Sequence, residues 1–314
     1  MEKSPKSIQR DSFITCDIMK SILTKLAAED NSMSSIYNDL LLEESEENEL
    51  FISDDYFHLE GMLLCSLQQD ERPICLGALS RPYFRALVEN MNICYGLKGK
   101  IPDEMQTSPF ETLSIINSHR IYELEERLKK MFSKIDRLPE NENEVFLQFF
   151  RDFVIPNDIR TLLSLRTTEG SNTLKVMPPS LQQCMVSFTQ LHQLAVSSVR
   201  RGVKPSVLTV GGKAFSKHVH RDLTAEFWGV CKGTEKMKNE AANTVLSKIL
   251  QRSVWRNLHE LPHGILAYEV RNREGYGARW TAKLKDRDDR PISWMFRGFL
   301  EPPMKDGHSV GWIH

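Results

Sequence analysis

Residues 265–300 read ILAYEVRNREGYGARWTAKLKDRDDRPISWMFRGFL, and apolar and polar side chains alternate in three parts of this stretch. The alternating parts are residues 265–272, 278–283 and 292–300. A period of two places the apolar residues on one face of a β-strand, and the Gly-, Asp- and Pro-rich connections are typical of turns. The stretch therefore predicts an antiparallel meander of three strands.

A helix is predicted directly before the meander, from Thr234 to Arg256. Its apolar residues recur at helical spacing on one face, at Met237, Ala241, Val245 and Ile249. Lys248, Arg252 and Arg256 follow at intervals of four on another face. Because a meander with one apolar face must bury that face, we expect it to pack on the apolar side of this helix.

The sequence before residue 202 carries helix signals. A capping box at Ser108-Pro109-Phe110-Glu111 predicts a helix to about residue 135, and further helices are predicted at 147–154, 157–165 and 180–201. The predicted fold class is α+β, with a mainly helical N-terminal region followed by a C-terminal antiparallel β-meander packed on helices. The predicted division is 1–59, 60–202 and 203–314.

Residues 1–59 are predicted to be an acidic, largely disordered segment with one short amphipathic helix at 13–28. No Lys or Arg occurs between Leu26 and Glu71, and acidic residues are densest around Glu46. Such a segment repels itself and tends to stay solvated. Two further interpretations remain open: residues 29–60 recruit a protein partner, or they cover the basic half of the chain.

Charge is distributed unevenly along the chain. Residues 201–314 contain 20 Lys and Arg against 12 Asp and Glu, whereas the whole chain has a formal net charge of −1. All five Trp and six of the nine His also lie after position 200. A local excess of positive charge with aromatic residues favours an anionic partner, such as nucleic acid or a phosphate-bearing small molecule.

Membrane insertion and secretion are not expected. No apolar run approaches the 18 or more residues that span a bilayer, and the N-terminus lacks the apolar core of a secretory signal. Six Cys are scattered without CxxC pairs, as in reduced proteins of the cytoplasm or nucleus.

Positive side chains are predicted on the polar face of the meander, at Arg271, Arg279, Lys283 and Arg297. Alternatively, this face is solvated, and its arginines pair with Asp286, Asp288 and Glu269. Arginine can form paired hydrogen bonds to phosphate oxygens and stack on bases. Lys213 follows Gly211-Gly212, which we interpret as a tight turn after a β-type run at 206–210. A phosphate-binding P-loop is not predicted, because its spacing is not met and Ala214 replaces the required Ser or Thr.

Several histidines suggest a second kind of site. His218 and His220 would share one face if extended, and His259 and His263 have zincin spacing, although Pro262 would break the necessary helix. Residues 259–263 are instead predicted to end a helix. A His-based metal site, drawing also on His308, remains an alternative.

The C-terminal region is predicted to bind a phosphate-bearing ligand, either nucleic acid or nucleotide. The predicted ligand-binding residues are Lys213, His218, His220, Arg271, Arg279 and Arg297. No catalytic residue, cofactor or metal ligand is assigned. Two alternatives are a metal-dependent or His-based enzyme acting on an anionic substrate, and a protein-interaction scaffold that uses the acidic segment and the helical region.

Overall fold

The structure is a computed structural model. It describes residues 13–29, 32–44, 53–67, 77–110, 113, 118–171, 174–192, 206–219, 227–285, 288–291 and 293–303. Within these ranges, no helix combines the length and the apolar character that a membrane span requires.

Helices dominate the chain up to residue 251. They are α1 (Cys16–Ala27), α2 (Ser34–Leu41), α3 (Asp54–Leu67), α4 (Phe84–Gly96), α5 (Asp103–Gln106), α6 (Ser118–Arg137), α7 (Glu142–Asp152), α8 (Pro156–Leu162), α9 (Leu181–Thr189), α10 (Val210–His218) and α11 (Glu235–Gln251). Short 3-10 helices lie at Pro139–Asn141 and Glu169–Ser171. Side-chain oxygens cap α1, α9, α10 and α11, accepting backbone N–H groups of the first turn, at Thr15, Ser180, Thr209 and Thr234.

The C-terminal part forms an antiparallel sheet. Its strands are β1 (Ser253–Leu261), β2 (Ile265–Asn272), β3 (Gly277–Lys285), β4 (Asp288–Pro291) and β5 (Met295–Leu300). β1 pairs with β2, and β2 with β3, while the other edge of β3 pairs with β4 and β5. The predicted α+β class and the meander packed on helices are therefore confirmed.

One face of the sheet belongs to the core. Tyr268 lies opposite Trp280, which lies opposite Phe296, and all three are buried. This face contacts α9 and α11, and the indole N–H of Trp280 donates to the Cys184 carbonyl at 3.1 Å. The alternation of apolar residues thus identified the buried face correctly.

The helical region and the sheet share one hydrophobic cluster. The Tyr268 hydroxyl donates to the Gly77 carbonyl at 2.6 Å, and the Gly77 N–H donates to the Leu250 carbonyl at 2.8 Å. Gly77 has no room for a side chain, because a Cβ there would lie 2.7 Å from the Leu250 side chain. This close packing joins the segment before α4 to both α11 and the sheet.

Parts of the segment predicted to be acidic and largely disordered form helices. α2 buries Ile36, Tyr37 and Leu40, and the Tyr37 hydroxyl donates to the Phe150 carbonyl at 2.7 Å. The apolar residues of α2 form only a short pattern among acidic neighbours, so the local composition does not indicate a helix. The residues around Glu46 lie outside the described residues.

The end of the helix before the meander was predicted wrongly. α11 ends at Gln251, and residues 253–261 form β1. Arg256 is therefore not on a helix face but 1 % exposed in a strand, where it donates to the Leu163 carbonyl. Residues 259–263 do not end a helix either, because a turn with positive φ at His263 and Gly264 joins β1 to β2.

Two other local predictions were also wrong. Val210 opens α10, so Gly211 and Gly212 lie in the first turn of a helix rather than in a tight turn after a strand. Ser108 does not open a helix; its hydroxyl accepts the Phe110 N–H, and α6 begins at Ser118. At both places a short sequence pattern is compatible with more than one backbone conformation.

Candidate functional site

The short helix α10 carries the first group of site residues. The Thr209 hydroxyl accepts the Gly212 N–H at 2.9 Å, which fixes the first turn. Gly211 allows the helix to approach α9, because a Cβ there would overlap the Phe188 ring. α10 also contacts β5 and α11. Lys213 and Lys217, one turn apart, therefore share a face.

Between α10, β3 and β5 lies a cavity of about 480 Å³, which we call the basic cavity. It is lined by His192, Val210, Lys213, Ala214, Lys217, His218, Arg279, Phe296, Arg297, Gly298, Phe299 and Leu300. Four of these residues carry Lys or Arg charges and two carry imidazoles. Its lining contains no Asp or Glu among the described residues. This composition favours an anionic occupant.

His192 and Lys213 form one pair in the cavity wall. The Lys213 Nζ atom lies 2.5 Å from Nε2 of His192. An ammonium group has hydrogens to donate and no acceptor, so Nε2 must accept. In this contact the ring hydrogen therefore lies on Nδ1.

His218 forms a second pair with Glu301. Its Nδ1 lies 3.1 Å from Glu301 Oε1, and the indole N–H of Trp228 donates to the other carboxylate oxygen at 3.2 Å. His218 and Trp228 are both buried. A carboxylate on Nδ1 fixes the orientation of the imidazole. Among the described residues, Nε2 of His218 has no hydrogen-bond partner, and the ring lines the cavity.

Arg279 links the cavity to a buried charge cluster on the polar face of the sheet. It lies opposite Glu269 in the register, and its Nε donates to Glu269 Oε1 at 2.6 Å. Arg271 Nη2 lies 3.6 Å from the other oxygen, and His259 Nε2 lies 3.8 Å from Oε1.

The charges of this cluster follow from its burial and its partners. Burial alone would raise the pKa of Glu269, but Arg279, Arg271 and His259 outweigh it and hold that pKa below its usual range. The pKa of His259 is lowered by burial, against the opposing effect of the Glu269 carboxylate. Glu269 is therefore an anion that orients Arg279 from behind the cavity, and His259 is neutral near pH 7.

Arg297 completes the cationic lining from β5. The pairing of β3 with β5 shifts register between Arg279 and Trp280, so that Gly298 faces Arg279 and Phe296 faces Trp280. The shift leaves Arg297 as the extra residue of a bulge, with an exposed side chain at the cavity. Bulges commonly redirect a side chain in this way.

Four of the six predicted ligand-binding residues line the basic cavity: Lys213, His218, Arg279 and Arg297. Arg271 does not line it. Its side chain is buried, and its Nη1 donates to the carbonyl oxygens of Gly275 and Glu301, both at 2.8 Å. His220 lies outside the described residues.

Several residues of this site were not predicted from the sequence. Lys217 could have been found, since it lies four residues after Lys213. Glu301 and His192 had no local signal, because each reaches its partner from a distant part of the chain, whereas Glu269 lies on the strand next to Arg279 in the predicted meander.

The histidines of the predicted metal site that the structure describes are not gathered at one place. His218 lies in helix α10, so it is not in the extended His-x-His arrangement that was considered, and His259 lies on the sheet. In the part of the chain that the structure describes, no group of three or more His, Cys, Asp or Glu could hold a metal ion.

The acidic residues described in 29–60 contact other parts of the molecule. Glu29 pairs with Arg151 at 2.6 Å, Glu44 accepts the Ser180 hydroxyl at 2.8 Å, and Asp55 accepts the Asn239 side-chain amide at 3.2 Å. None of these acids lines the basic cavity. A role of this segment in recruiting a partner remains a prediction.

Comparison with known proteins gives one match. No curated protein and no solved structure matches the chain. The model of one family, the CdiA C-terminal tRNase toxin domain, matches residues 200–301, about one third of the chain. Of the residues that line the basic cavity, His192 alone falls outside this range. The chain is thus similar to a tRNase toxin domain over the part that holds α10, α11, the sheet and most of the basic cavity.

Proposed function

We propose that the C-terminal part of this protein binds RNA in the basic cavity and cleaves its phosphodiester backbone. The observation that carries this proposal is the convergence of Lys213, Lys217, Arg279 and Arg297 with two imidazoles around one space of about 480 Å³. Because the matching family is described as a tRNase toxin domain, we take tRNA as the substrate class.

The chemistry of RNA cleavage calls for such a set of groups. The 2′-hydroxyl loses a proton and attacks the adjacent phosphorus, while the P–O5′ bond breaks and the departing O5′ gains a proton. The products are a 2′,3′-cyclic phosphate and a 5′-hydroxyl. The additional negative charge on the phosphate oxygens in the transition state is stabilised by positioned cations, and the two proton transfers by a base and an acid.

We assign the acid to His218. Its Nδ1 lies 3.1 Å from Glu301, which fixes the ring where it lines the cavity. The proton on Nε2 is then available to the O5′ leaving group in the cavity. Arg279, oriented by Glu269, and Arg297 are assigned to the phosphate oxygens.

The test is cleavage of tRNA by the full chain in the presence of EDTA, with analysis of the product ends. We expect 2′,3′-cyclic phosphate ends and a loss of about 10²–10⁴ in rate for His218→Gln. His58→Gln, an exposed residue of α3, is the matched control and should cleave like the wild type. Cleavage that stops in EDTA and returns with a divalent cation would contradict side-chain proton transfer.

Binding is tested separately from cleavage. The affinity for tRNA should fall with salt, and Arg297→Ala should weaken it more than Arg273→Ala, an exposed Arg of the β2–β3 turn. If neither tRNA nor single-stranded RNA binds at low salt, the proposed function is wrong.

A further inference from the structure

His192 lies beside the basic cavity although it belongs to the end of the helical region. It is held by the backbone: its N–H donates to the Leu208 carbonyl at 2.8 Å, and the Val210 N–H donates to the Gln190 carbonyl at 2.9 Å. This short antiparallel pairing, with a bridge between Leu191 and Thr209, joins the segment after α9 to the start of α10. The imidazole therefore has a defined position relative to Lys213.

The contact with Lys213 determines which ring nitrogen of His192 can accept a proton. Nε2 accepts from the ammonium group at 2.5 Å and so presents a lone pair on the side of the cavity that Lys213 occupies. His218 of α10 lines the same cavity, and its Nδ1 lies 3.1 Å from Glu301 Oε1. One cavity thus contains an imidazole whose Nε2 faces an ammonium group and an imidazole whose Nδ1 faces a carboxylate.

We propose that His192 is the general base of the cleavage reaction, a role that rests on the proposed function above. When a phosphate enters the cavity, the Lys213 ammonium turns to its oxygens and leaves Nε2 of His192. That nitrogen then removes the proton of the 2′-hydroxyl, and O2′ bonds to phosphorus. His218 gives its proton to O5′, so that the turnover ends with His192 protonated and His218 neutral.

A catalytic group thereby comes from outside the stretch that resembles the tRNase toxin domain. The match begins at residue 200, and His192 precedes it. The helical region would then not only support the sheet but also complete the reactive site. The pairing of Leu191 with Thr209 is the contact through which it does so.

The experiment compares two RNA substrates under single-turnover conditions with the full chain. One is a short RNA with the natural 5′-oxygen at the cleaved bond, and the other has sulfur at that bridging position. Sulfur leaves readily without a proton, so the second substrate needs a base but no acid. The variants are His192→Gln and His218→Gln, with His58→Gln as the control.

We expect both cavity variants to cleave the natural substrate at least about 100-fold more slowly than the wild type, with RNA affinity within threefold. On the sulfur substrate, His218→Gln should recover to within about tenfold of the wild type, whereas His192→Gln should remain slow. His192→Asn, which is smaller, repeats the measurement if His192→Gln lowers the melting temperature.

The outcomes separate this inference from the proposed function. If His192→Gln and His192→Asn cleave the natural substrate within threefold of the wild-type rate while His218→Gln does not, His192 is not the base and the proposed function stands. Recovery of the His192 variants on the sulfur substrate would also overturn the assignment. If the wild-type protein cleaves neither substrate and binds no RNA, the proposed function itself is wrong.

Discussion

Asn239 of α11 connects the helical region with the helix that carries the site, and its replacement is the most direct test of the architecture. The residue is 1 % exposed. Its Oδ1 accepts from the backbone N–H and the hydroxyl of Thr209, at 3.0 and 3.1 Å. Its Nδ2 donates to the Val207 carbonyl at 2.9 Å and to Asp55 at 3.2 Å.

The expected effect of Asn239→Ala follows from the polar groups that lose their hydrogen-bond partner. Val207 and Asp55 are accessible enough for water to replace the lost partner, whereas Thr209 is buried and loses the acceptor of two donors. Each orphaned buried donor costs about 1–3 kcal/mol, so the loss of both should lower the free energy of unfolding by about 2–6 kcal/mol. Because Thr209 caps α10, the affinity for RNA should fall as well.

Urea unfolding at pH 7 measures this difference, with Lys236→Ala as the control. Lys236 is exposed on the same helix, and its replacement should change the free energy of unfolding by less than about 0.5 kcal/mol. If Asn239→Ala lowers the free energy of unfolding by less than about 1 kcal/mol, this amide does not hold α10 in place.

Three further outcomes are expected. Gly211→Ala should lower the melting temperature and RNA affinity, since the new Cβ overlaps the Phe188 ring, and an unchanged melting curve would contradict the packing. Lys217→Ala should reduce the slope of log K against log salt for tRNA by about 0.7–1, as measured by titration at several salt concentrations. The folded-state pKa of Glu269 is lowered, so its stabilisation is present above the unfolded pKa, about 4.3, and is lost as pH falls through the folded value. In Glu269→Gln, which also frees Arg279, the difference in unfolding free energy between pH 7 and pH 3 should therefore be smaller than in the wild type.

Local patterns predicted the elements whose stability depends on near neighbours. Alternation at Tyr268 and Trp280 identified two strands and their buried face, because successive side chains of a strand point to opposite sides. Ser180 and Thr234 marked true helix starts, since a cap acts within three residues. The same reasoning failed at Ser108, where the hydroxyl closes a local turn instead.

β1 was missed because its burial differs from that of an ordinary meander strand. Trp255, Arg256 and Leu258 are all nearly buried, so both faces of the strand are covered and no alternation appears. The Arg256 N–H and carbonyl positions follow from pairing with β2 and from the hydrogen bond between Arg166 and the Arg256 carbonyl at 2.7 Å. The second contact joins residues 90 positions apart, which no local pattern records.

The amino-acid sequence by itself determined that the C-terminal half is basic, that it forms a meander, and which side chains lie on the sheet's polar face. Tertiary packing alone decided which of those cations face a common space. Arg271 and Arg279 share that face. Arg271 is buried and donates to the carbonyls of Gly275 and Glu301, whereas Arg279 lines the cavity. The reason is physical: alternation is set by the backbone of one strand, whereas exposure depends on segments that arrive from elsewhere in the chain.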